Sequence, residues 1–207
     1  MPESSSLLID GLDQASFTLI LAHGAGSGMD TDFMNTVAAG IANNGFRVVR
    51  FEFPYMVKRR ETGQKRPPDR EPILRETWFN VIEQVKTEKF VVGGKSMGGR
   101  IASLVADEVG ATGLVCLGYP FHPTGNPDKL RIEHLKSIST PTLILQGERD
   151  PFGNDDEVMG YDLSSQVQIH WLPDGDHSFK PRKRSGRSWE DNLEESVEVV
   201  TDFLNNL

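Results

Sequence analysis

The chain has 207 residues, a net charge of −8, 37% hydrophobic residues and one cysteine. That length fits one domain with a sizeable core, taken as residues 1–207. The acidic balance argues against general nucleic-acid binding, and the lone Cys116 excludes an internal disulfide. No apolar run is long enough to span a bilayer. Residues 1–6 lack the basic and apolar regions of a secretory signal, so a cytoplasmic location without membrane attachment is expected.

Taken in chain order, the first predicted strand covers 16–22, and a glycine-rich loop, 23–28, follows it. A helix places Phe33, Val37 and Ile41 on one face and stops at Gly45. A strand over 46–53 leads into a basic segment. A second helix carries Leu74, Trp78, Ile82 and Val85, with Pro72 at its start. The apolar run 89–93 reads as a buried strand. The helix after it carries Ile101, Leu104 and Val105 and ends at Gly110. Strands are predicted over 112–118, 142–147 and 167–173, and a short helix over 128–136. The closing helix carries Leu193, Val197, Val200 and Leu204, with Ser188 as N-cap. All four helical stripes read as core. Strands alternating with amphipathic helices indicate an α/β fold with a mostly parallel sheet. There is no internal repeat, low-complexity tract or linker.

The chemistry concentrates at Gly94, Lys95, Ser96, Met97 and Gly98, a G-x-S-x-G between a strand and a helix. That setting forces the serine outward on a sharp turn, and the helix N-terminus beneath it favours negative charge. A serine nucleophile needs a base, and the base an orienting acid, in the order Ser, Asp or Glu, His. Asp150 and His177 follow in that order, each just past a strand end, where ligands bind in open α/β sheets. Asp150 is preferred to Glu148, Asp155 and Asp156. Among the other histidines, His170 lies within a strand, and His134 reads as a surface residue. His122 is expected to line the cleft without acting as the base. His23 is expected to shape the glycine loop by hydrogen bonding. The oxyanion requires two amides. Met97, after the serine, supplies one, and Ala25 in the glycine loop the other, with Gly24 beside the substrate. The loop lacks the Lys-Ser/Thr ending of a P-loop.

These segments resemble the α/β-hydrolase superfamily, over nearly the whole chain. The compact dienelactone-hydrolase-like branch is the nearest likeness, and within it the small hydrolases related to the third subunit of the NSL acetyltransferase complex. The residues that carry it are 23–26, 93–100, 118–123, 147–150 and 175–177. The resemblance implies a doubly wound sheet with helices on both faces and a Ser-Asp-His triad, but no substrate. Dienelactone hydrolases use a cysteine where this chain has Ser96.

Only residues 119–140 separate the strands between which larger relatives insert a lid. No lid domain fits there, and an open, shallow site is expected, unsuited to long acyl chains. Residues 57–75 hold seven Lys or Arg against three acids, and 178–189 hold five with no acid before Glu190. Together they carry +9, which leaves −17 on the remainder. With Lys95 they suggest a basic rim for anionic substrates. The alternative is two solvated loops whose charges pair with neighbouring acids.

The expected activity is hydrolysis of a small-molecule ester or thioester through an acyl-enzyme, with no metal or organic cofactor. Thioesterase, peptidase and carboxylesterase chemistry share this triad. A non-catalytic interaction module that retains the fold is the alternative from another class. The oligomeric state is not legible.

Overall fold

The computed structural model describes residues 6–207 apart from Gln14 and Ser16. Residues 1–5 and the first residue of the strand expected at 16–22 lie outside the described residues. The strands are β1 (Leu7–Asp10), β2 (Thr18–Ala22), β3 (Arg47–Phe51), β4 (Phe90–Lys95), β5 (Gly113–Leu117), β6 (Thr142–Gly147) and β7 (Val167–Leu172). The helices are α1 (Asp32–Asn43), α2 (Pro54–Thr62), α3 (Glu71–Val85), α4 (Met97–Val105), α5 (Asp155–Val158) and α6 (Trp189–Asn205).

Among the described residues the strands form one sheet in the order β1-β3-β2-β4-β5-β6-β7, antiparallel only at β1. The α/β-hydrolase architecture expected from the sequence is present. Both faces of the sheet are covered, so its central strands are apolar throughout rather than alternating with polar residues. In β2, Ile20 and Ala22 point into a core shared with Leu74 and Trp78 of α3 and Ile101 of α4. Leu19 and Leu21 point the other way, towards Phe33 and Val37 of α1 and Leu193 and Val200 of α6. The sheet winds outward in both directions from β2 and β4. The switch point between these two strands opens a crevice at their C-terminal ends.

Four features differ from the sequence expectations. β1 is an unexpected edge strand, because four residues show no period. Its Asp10 pairs with Arg50 of β3 at 2.8 Å, and Arg50 is itself almost fully buried. The basic stretch after β3 is helical in α2, begun by Pro54 and ended by Gly63 in the left-handed conformation at φ 68°. With only Tyr55 and Met56 buried, α2 has no apolar stripe to announce it. The helix expected over 128–136 shrinks to a 3-10 turn, Glu133–Lys136. Likewise α4 stops at Val105, and turns carry the chain to Gly110. No helix among the described residues is long and apolar enough to cross a membrane.

At α6, the Ser188 side chain accepts from the Asp191 amide, and Asp191 accepts from the Ser188 amide, closing a capping box. Ser188→Ala should destabilise the fold by about 1 kcal/mol. A urea titration should show a lower midpoint with an unchanged slope.

Candidate active site

Ser96 occupies the turn between β4 and α4 at φ 53°, ψ −116°. A non-glycine residue there is strained and persists only when its surroundings over-determine it. They do so here. The Ser96 amide donates to Leu117 O at 3.0 Å, and Ser96 O accepts from the Arg100 amide at 3.0 Å. Beneath the turn, β4 runs against the end of β2 with no room for side chains. A Cβ on Gly98 would lie 2.5 Å from Ala22 O and 2.6 Å from His23 O. A Cβ on Gly94 would also strike Ala22 O.

Ser96 Oγ lies 2.8 Å from His177 Nε2, and His177 Nδ1 lies 2.7 Å from Asp150 Oδ2. Asp150 is wholly buried. Its carboxylate also accepts from Gln146 Nε2 at 3.0 Å and from the Phe152 amide at 2.9 Å. A carboxylate accepts only, so Nδ1 carries the proton and Nε2 is left to accept from the serine hydroxyl. Burial lowers the His177 pKa below its ordinary 6.5. The hydrogen bond to Asp150 opposes this, the Lys95 charge adds to it, and the charges of Asp150 and Asp176 oppose it. The Phe152 ring covers the imidazole, with centroids 4.4 Å apart.

The glycine loop passes beside the serine. A Cβ on Gly24 would lie 3.7 Å from Ser96 Cβ. Gly24, Ala25, Gly26, Thr31, Phe33 and Met34 line one side of a cleft of about 390 Å³, and Phe152, His177 and Ser178 also border it. Among the described residues, neither the Ala25 amide nor the Met97 amide donates to a protein acceptor. His23 is fully buried. It accepts from the Phe53 amide at Nε2 (3.1 Å), which leaves Nδ1 to donate to Gly24 O (2.6 Å).

Other expected site residues sit differently. Lys95 borders the cleft, but its ammonium turns inward to donate to His177 O at 2.6 Å, over the Phe33 and Phe179 rings. Burial pulls its pKa down to about 8, against the charges of Asp150 and Asp176. His122 does not line the cleft. It is 2% exposed and packs behind the acid turn, where its amide donates to Phe152 O and its ring lies between Pro123 O and Glu157. His134 is half-buried rather than on the surface. Its Nε2 is 2.8 Å from Ser103 Oγ, and burial pulls its pKa down to about 4. His170 lies on a sheet face against Glu195.

Most of the arginines expected at the rim are engaged. Arg60 binds Glu52 and Asp30, Arg59 donates to Gly26 O, Arg182 binds Asp174, and Arg187 binds Glu195. Gln146 was not singled out from the sequence, although a lone amide in the otherwise apolar run of β6 was the available signal. Among the described residues no group of three or more His, Cys, Asp or Glu could hold a metal ion.

The model of the family described as "alpha/beta hydrolase domain" matches residues 15–205. The chain belongs to this family. Solved structures with the same fold include a dienelactone hydrolase from Anabaena variabilis, 17% identical, with a TM-score of 0.74 over 99% of this chain and 93% of the other. Est1E from Butyrivibrio proteoclasticus, solved with ferulic acid bound, is 13% identical, with a TM-score of 0.73 over 98% and 94% of the two chains. A Xanthomonas campestris protein described as a serine hydrolase without a lid is 19% identical, with a TM-score of 0.69 over 97% and 96%.

The close approach at Gly98 makes a sharp prediction. Gly98→Ala should lower the unfolding free energy by about 1–3 kcal/mol through overpacking. If the chain does fold, the elbow must move away from His177. Denaturant unfolding and the rate of Ser96 labelling by an organophosphorus probe should therefore fall together.

Proposed function

We propose that the protein is a serine hydrolase that cleaves a small ester or thioester through an acyl-enzyme. The observation that carries this reading is the unbroken hydrogen-bonded chain Ser96–His177–Asp150, with two unengaged amides beside the serine. His177 Nε2 takes the Ser96 proton as Oγ attacks the carbonyl carbon. Asp150 holds the imidazole and stabilises the imidazolium. The Ala25 and Met97 amides receive the oxyanion. The tetrahedral intermediate collapses, the leaving group departs with the proton from His177, and the acyl group remains on Ser96. A water then gives a proton to His177 as it attacks the acyl-enzyme ester, and the second tetrahedral intermediate collapses with His177 returning that proton to Ser96 Oγ as the acid is released.

The cleft supports a small acyl group. Its walls are apolar at Phe33, Met34 and Phe152 and polar at Thr31 and Ser178. The rim argues for uncharged rather than anionic substrates. The arginines nearest the glycine loop are spent on Glu52, Asp30 and Gly26 O, and the ammonium of Lys95 faces His177 O.

Ser96→Ala should abolish labelling by a fluorophosphonate probe and cut kcat at least about 10⁴-fold while leaving the fold intact. Full activity in that variant would refute the reading. His177 must be neutral to act as base. Its folded pKa lies below 6.5, so activity should persist at pH 6.5 and be lost only as pH falls through the lower value. A kcat/KM profile whose acid limb lies at or above 6.5 would contradict this. Neutral and anionic esters of one acyl series should respond alike to added salt. A steep salt-dependent loss confined to the anionic ester would restore the basic rim.

A further inference from the structure

Tyr55 stands behind the glycine loop, outside the chain of reacting groups. It is the second residue of α2 and is 2% exposed. Its hydroxyl lies 3.0 Å from Ala25 O and 3.3 Å from Gly24 O. Gly24 O also accepts from His23 Nδ1, and Gly26 O accepts from Arg59 at 2.7 Å. Three consecutive carbonyls of this loop are therefore each held by a side chain. In a trans peptide the C=O and N–H point in opposite directions. Drawing Gly24 O back towards His23 and Tyr55 turns the Ala25 N–H of the same peptide towards the cleft. Holding Ala25 O does the same for the Gly26 amide.

We infer that Tyr55 is a positioning residue that aims the Ala25 amide at the developing oxyanion. The inference rests on the hydrolase reading above. Glycine at 24 and 26 gives the loop many backbone states, so its amides face the cleft only while something holds the carbonyls. A fixed donor stabilises the transition state without reorganising during the reaction, and that is the property a mobile loop loses. Burial pushes the Tyr55 phenol pKa up, so the hydroxyl stays protonated and remains a donor. Tyr55 is in turn held from outside, because its amide donates to Asp69 Oδ2 at 2.8 Å. Its ring packs 5.7 Å from that of His23.

The test compares wild type with Tyr55→Phe, which keeps the ring and removes the hydroxyl. It also uses Asp69→Ala, which loosens the anchor of Tyr55 at a more exposed position. Three quantities are read on a p-nitrophenyl ester: kcat, KM, and Ki for a trifluoromethyl ketone whose adduct with Ser96 places an oxyanion in the site. Tyr55→Phe should lower kcat about 10-fold or more at unchanged KM, and raise Ki by the same factor. Asp69→Ala should show the same signature with a smaller amplitude. Thermal unfolding should move little in either variant. A purely structural role would instead reduce stability and leave kcat and the ratio of Ki to KM in place, and that result would overturn the inference. A raised KM with kcat intact would make Tyr55 a wall of the cleft and would also overturn it. Wild type that neither turns over the ester nor binds the ketone would refute the hydrolase reading, and the inference with it. Active wild type matched by both variants would remove the inference alone.

Discussion

The structure depends on how closely β4 passes the end of β2. Gly94 of β4 and Gly98 in the first turn of α4 leave no Cβ there, against the carbonyls of Ala22 and His23. That approach bends the chain sharply from strand to helix and holds Ser96 in a conformation it would not choose. It also brings the first turn of α4 and the glycine loop to either side of one serine. The two amides come from different elements, β2's loop and α4's first turn, and only the sheet fixes their separation. A looser packing at Gly98 would leave every residue present and the site unassembled.

A second constraint is the polar network buried behind the histidine. Asp150 accepts from His177, Gln146 and the Phe152 amide, so its oxygens are satisfied without water. Gln146 is itself saturated, its two N–H groups shared among Tyr119 O, Asp150 and Gly153 O while its oxygen accepts from the Tyr119 amide. An amide with these partners contributes stability, whereas one without them would cost about 1–3 kcal/mol. Lys95 completes the arrangement. Its ammonium is boxed by Gly118, where a Cβ would lie 2.9 Å from Nζ, and it holds the His177 backbone in place. The charge discourages an imidazolium in the resting site, while Asp150 and Asp176 favour one. In the proposed reaction this would leave His177 neutral at rest, with Asp150 placed to stabilise the imidazolium that forms.

The mostly parallel α/β class and the positions of Ser96, Asp150 and His177 past strand ends were legible because they follow from periodicity and from residues adjacent in the chain. Ser188 and the closing helix were legible for the same reason. What failed depends on direction rather than position. Nothing in the sequence around Lys95 says whether its long side chain turns to solvent or to His177 O. His122 follows a strand end, as a cleft residue would, but its segment dives under the turn that carries Asp150. The basic stretch of α2 concealed a helix because its length is fixed by Pro54 and Gly63 and not by an apolar stripe. Tyr55 was missed because its hydroxyl meets backbone atoms 30 and 31 residues away, a relation no local pattern encodes, and Gln146 because its isolated amide gives no sign of which groups it joins.

The same geometry bears on selectivity in the proposed reaction. Between β5 and β6 the described residues hold one 3-10 turn, so no further segment there can fold over the substrate. Discrimination by closure, in which binding energy assembles the site, requires a mobile element above the cleft. In the proposed reaction the donors would be held by the loop after β2 and by α4, and the base by the turns after β6 and β7, before any substrate arrives. A site assembled in advance discriminates through shape alone, and a methylene more or less in an apolar cleft is worth only about 1–3 kcal/mol. In the proposed reaction Phe33, Met34 and Phe152 would be the apolar walls that the acyl group meets, so selectivity among small acyl groups would rest on their shape.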